Sequence, residues 1–183
     1  MNIKKLTYGA LVIAITVLFP QLFHFAGPQM GQTFLPMHLP VFVGGFVLGP
    51  VYGFAIGFLS PLLSSLSTGM PPLDRLPYMM LELAAYGLVC GMIYRFARNK
   101  IGLVSIYLSL IAAMIAGRLA FAISLFVAAE LLSISSAGPA VVLTAIATGA
   151  AGIIIQILFI PPVIMLLERS GFLDKFTETR KQA

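Results

Sequence analysis

The chain has 183 residues, 60% of them hydrophobic and only 9% charged, where a soluble domain carries about 25% charged residues. That leaves too little polar surface to cover a water-soluble core, so lipid must do the covering. The net charge is +5, but its placement in alternate flanks of the apolar runs argues against a nucleic-acid partner and for an orientation signal.

A hydrocarbon core of about 30 Å takes about 20 apolar residues as helix, so residues 1–183 have room for six spans in a single domain. The apolar runs are continuous and lack the period-2 alternation of barrel strands, which predicts an all-α integral membrane bundle. Span 1 is expected over about Leu6–Phe25, with Pro20 kinking its outer half. No clear small-residue cleavage site follows it, so it reads as a retained span, not a signal peptide. Ala26–Pro36, with Gly-Pro, two Gln and a Thr, reads as an outside loop. Span 2 starts near His38 and stops at Gly49-Pro50. Span 3, about Val51–Leu66, contains Pro61, and with no charge between them the two must join by a tight turn. Ser67–Leu76 is the second outside loop and Pro77–Phe96 the fourth span. Span 5, about Ile101–Leu132, is longer than a perpendicular crossing needs and is tilted or projects from the bilayer. A third outside loop covers residues 133–139, and span 6 is expected as one helix over Ala140–Leu167.

Lys4 and Lys5 precede span 1; Arg95, Arg98 and Lys100 lie between spans 4 and 5; Arg169, Lys175, Arg180 and Lys181 follow span 6. Six spans put all three clusters on one side, which the positive-inside rule makes the cytoplasm, together with both termini.

No phosphate loop, HExxH, GxSxG or Cys/His ligand cluster occurs, so neither an enzyme nor a metal centre is expected. Cys90, alone in an apolar helix, reads as a small buried hydrophobe. Gly45, Gly49, Gly53 and Gly57 recur every fourth residue, as do Ala10 and Ala14. Such small-residue faces let helices approach closely in lipid: intramolecular packing for the glycines, or docking of another membrane subunit for the alanines.

Polar residues inside spans are expensive and therefore informative. Arg118 falls near the middle of span 5, Gln156 in span 6, and Glu82 about one and a half turns into span 4. Arg118 and Glu82 either form a structural ion pair or hold a ligand carboxylate in a cavity open to the outside. By helical rise Arg118 lies about two turns deeper than Glu82, a gap for long side chains or a ligand to bridge. Tyr78, Glu82 and Tyr86 share one helix face, suited to an amphipathic small molecule.

The AxxxA of Ala10–Ala14, the stretch LPMHLPVFVGGFVLGP at 35–50 running into YGFAIGFLSPLLSSL and TGMPP, and ELAAYG at 82–87 resemble the substrate-binding S components of energy-coupling factor (ECF) vitamin transporters. The 35–72 stretch looks most like the pantothenate-type group. The resemblance implies a vitamin-binding subunit in a prokaryotic cell membrane, with no ATPase or cofactor of its own. Its partners would be a membrane coupling protein, docked on Ala10 and Ala14, and two ATP-binding cassette subunits that use the ATP. It places the substrate site at Gln32, Met37, His38, Tyr78, Glu82, Tyr86, Arg118 and Gln156. S components for niacin, pyridoxine, riboflavin, biotin or folate, a self-contained transporter, and a lipid-modifying membrane enzyme are the alternatives.

Overall fold

A computed structural model describes residues 3–24, 27–132 and 139–177. Among these residues the chain is helical, and six helices are long and apolar enough to cross a bilayer: 3–23, 29–48, 50–68, 76–101, 104–128 and 150–169.

α1 (Ile3–Leu18) and the short α2 (Gln21–His24) make the first crossing. Pro20 does more than kink it: the helix stops at Leu18, because proline supplies no N–H to continue the ladder. α3 (Pro28–Phe34) replaces the expected 26–36 loop. Gly27 at φ 107 and Pro28 in the first turn start it, and Leu35, left-handed at φ 49, ends it. Polar composition signalled a loop, but a proline preset for the first helical turn nucleates a helix instead. α4 (His38–Leu48) completes the second crossing, and Gly49 at φ 91 is the only residue between it and α5 (Pro50–Thr68). The tight turn is thus a single glycine in a conformation that side chains disfavour.

After a non-helical 69–75 segment, α6 (Leu76–Ile101) carries Arg95, as expected, and also Arg98 and Lys100, on helix where a turn was expected. α7 (Val104–Leu132) returns from it. Span 6 is two helices, α8 (Pro139–Thr148) and α9 (Ala150–Arg169), broken at Gly149. A short α10 (Asp174–Thr177) follows. The expected third loop, apart from Pro139, lies outside the described residues.

The glycine stripe is spent on packing. Cβ atoms added at Gly53 or Gly57 would run into the backbone of Gly87 or Leu83 on α6, and one at Gly45 would lie 2.7 Å from the Gly87 carbonyl. α4 and α5 therefore touch α6 backbone to backbone, as small residues permit in lipid. Val41, Phe42, Leu83, Ile106, Leu110, Ile160 and Ile164 fill the interior.

Candidate substrate-binding site

Glu82 sits six residues into α6, buried between α4 and α7. Its Oε1 accepts a hydrogen bond from the Tyr86 hydroxyl one turn on, at 2.8 Å. The same oxygen lies 2.9 Å from Nη1 of Arg118. The depth difference expected between these residues is therefore no obstacle. Counted from the α6–α7 turn, Glu82 stands 19 residues up α6 and Arg118 14 up α7. That offset is about 7–8 Å of rise, within reach of two long side chains.

His38, in the first turn of α4, brings its Nε2 to 4.0 Å from the same carboxylate oxygen, and its ring to 5.2 Å from that of Tyr86. Phe42, one turn along α4, closes the other side of Tyr86 at 4.9 Å. Met37 is buried next to His38. Gly117 is the residue that lets the tyrosine in: a Cβ there would run into the Tyr86 ring.

The cluster is not hydrogen-bonded to completion. Arg118 has five N–H donors, yet its Nε and Nη2 are buried without a partner, as is Nε2 of Gln156 on α9. Each buried donor left unmatched costs about 1–3 kcal/mol. A carboxylate can match such a guanidinium by taking two parallel N–H bonds from it.

Two helix breaks meet at this guanidinium. A Cβ added at Gly149, between α8 and α9, would lie 3.2 Å from Arg118 Nη2 and 3.0 Å from Leu35. One at Gly152 would meet the Phe34 carbonyl at 2.7 Å. The α3–α4 corner and the α8–α9 break thus close over Arg118, and glycines make the approach possible.

Of the eight expected site residues, His38, Glu82, Tyr86 and Arg118 are brought together, with Met37 beside them. Gln156 is buried on α9. Gln32 is exposed on α3, and Tyr78 turns its ring edge-on to Phe121 of α7, 6.3 Å away. Sequence reasoning missed Gly117 and Gly149; glycine inside an apolar run was the available signal. It also missed a polar latch at the other end of the bundle. There the Tyr94 hydroxyl and Arg98 Nε, the latter at 3.2 Å, both donate to Glu168 Oε1 and tie α6 to α9. Ala10 and Ala14 share an exposed face of α1, which packs through Gly9, Val12, Ile13 and Thr16 instead.

The model of one protein family, described as ECF transporter, substrate-specific component, matches residues 4–164. The chain belongs to this family. An S component is the binding subunit of a transporter rather than an enzyme, and membership implies a small-molecule substrate and an ECF module with ATPases. No curated protein and no solved structure gives a significant match. Family and helices together make this S component a multi-pass membrane protein.

Proposed function

We propose that this S component is the high-affinity binding subunit for an anionic vitamin, with pantothenate the best candidate. Arg118 takes the vitamin's carboxylate, Glu82 orients the guanidinium or accepts from a ligand hydroxyl, and Tyr86, His38 and Met37 complete the wall. The observation that supports this is the set of buried, unmatched donors on Arg118 beside its contact with Glu82. Pantothenate offers both a carboxylate and hydroxyls, and the 35–72 stretch looks most like the pantothenate-type group. Nicotinate and biotin share the carboxylate and are the competing substrates. Gln32, Tyr78 and Gln156 complete the set of residues assigned to the site.

The chain needs no cofactor of its own in this reading. A coupling protein docks on Ala10 and Ala14, whose outward face supports the assignment, and two partner ATPases hydrolyse the ATP. The protein sits in a prokaryotic cell membrane with both termini in the cytoplasm, as the distribution of basic residues supports.

Calorimetric titration of the purified S component with pantothenate, nicotinate, biotin and riboflavin tests the assignment. Tight binding of pantothenate is expected, and binding should collapse for its alcohol analogue, which lacks the carboxylate. Preference for riboflavin, which has none, would refute the role given to Arg118.

A further inference from the structure

A cavity of about 70 Å³ lies at the opposite end of the bundle from Arg118, bounded by α1, the α4–α5 junction, α6 and residues 173–176. Lys5, Arg95 and Arg98 line it. Glu168 already engages Arg98. Among the described residues no carboxylate pairs with Lys5 or Arg95. The Arg95 guanidinium rests over the α4–α5 junction, where a Cβ on Gly49 would lie 3.6 Å from its Cζ. Lys5 is half-buried. Arg95 is exposed at the cavity mouth; two like charges side by side repel, and an anion between them turns that repulsion into attraction.

Phe46, Leu48, Leu173 and Phe176 are buried along the wall, and Tyr94 and Asn99 add polar groups to it. A single water needs about 10–15 Å³ of such space, so the cavity has room for a phosphate group. Outside, Ile3 and Leu6 on α1 and Phe96 on α6 flank the two cations and stay exposed on the bundle's surface, where acyl chains would lie. Basic pockets between membrane helices on the cytoplasmic side are suited to anionic headgroups.

We propose that this cavity binds the phosphate of an anionic phospholipid, with Lys5 and Arg95 as its cationic ligands and the acyl chains along α1 and α6. The site is separate from the substrate site, since Arg95 lies 13 residues, or about 20 Å of helix, beyond Glu82 on α6.

Native mass spectrometry of the full chain released from nanodiscs of equal parts phosphatidylcholine and phosphatidylglycerol tests this. Wild type should retain phosphatidylglycerol preferentially. Replacing Lys5→Gln and Arg95→Gln together should lower that preference roughly thirty-fold, at the usual strength of one basic residue near an anionic surface. The charge-keeping pair Lys5→Arg and Arg95→Lys should preserve it. Equal retention of the two lipids by wild type, or a preference unchanged in the glutamine pair, would overturn the proposal. Displacement of phosphatidylglycerol by millimolar inorganic phosphate would overturn the lipid source and assign the cavity to free anions. Should the glutamine pair fold poorly, wild type alone still decides. Phosphatidylglycerol added to detergent-solubilised protein should raise its melting temperature, and an equal rise with phosphatidylcholine would overturn the site.

Discussion

Arg118 uses one guanidinium nitrogen on Glu82 and keeps two others buried and unmatched. Lysine supplies charge but not the planar fork that meets a carboxylate with two bonds, so Arg118→Lys should weaken vitamin binding and Arg118→Met should weaken it further. Truncating one partner of a desolvated charge pair costs about 2–5 kcal/mol, or roughly thirty-fold to several thousand-fold in affinity. The double variant Arg118→Met/Glu82→Gln separates the roles. If it folds well and binds at wild-type affinity by calorimetry, the pair is purely structural and the site lies elsewhere. Tyr86, Glu82 and Arg118 were legible as functional candidates because polar groups in lipid need a reason. The Arg118–Glu82 contact was legible too, as one of two alternatives, but the approach of His38 to the same carboxylate oxygen was not, because only the fold brings α4 there. Gly149 was silent for a related reason: in an apolar run, a break is set by the neighbouring backbone, and only the fold brings Phe34 and Leu35 there.

At the scale of the helices, α5 and α6 meet where Gly53 and Gly57 face Gly87 and Leu83. Leu83 and Gly87 contribute backbone carbonyls that cannot rotate away, so overpacking has no soft outlet. Gly57→Leu should lower stability by about 1–3 kcal/mol or more, measured as a fall in melting temperature in detergent, while Ala55→Leu on the same helix should change it little. A fall no greater for Gly57→Leu than for Ala55→Leu would show that the helices separate freely. The every-fourth-residue spacing revealed this contact in the sequence, since a small face at that period has few other uses in lipid. α3 was hidden, because Gln29, Gln32 and Thr33 have the composition of a loop and only Pro28 marks a helix start.

Across the whole molecule, two surfaces remain to be matched with surroundings. Ala10 and Ala14 face outward from α1, so Ala14→Trp should abolish uptake in cells that carry the ECF module. Vitamin binding to the purified subunit should stay nearly unchanged, because the added ring separates only the docked backbones. Normal uptake by Ala14→Trp would rule out that docking face. Orientation is checked in a Cys90→Ser background. A cysteine at Asn99, beside the basic cluster of α6, should resist a membrane-impermeant thiol reagent in intact cells, and one at Gln29 should react. Labelling at Asn99 from outside would reverse the topology that charge predicts.

The lone glycine between α4 and α5 also bears on how the chain is made. α4 spans 11 residues, about 16 Å, roughly half the hydrocarbon thickness, and crosses only together with α3. Its glycines expose backbone that is covered only when α5, α6 and α1 pack against it. With one residue as linker, α4 cannot settle in the bilayer before α5 emerges. The two must leave the insertion machinery as a single helical hairpin, at a ribosomal pace of about 5–20 residues per second. A lengthened linker at Gly49 would let the halves part during that wait, so its harm would fall on the yield of inserted protein before it touched the affinity of what survives.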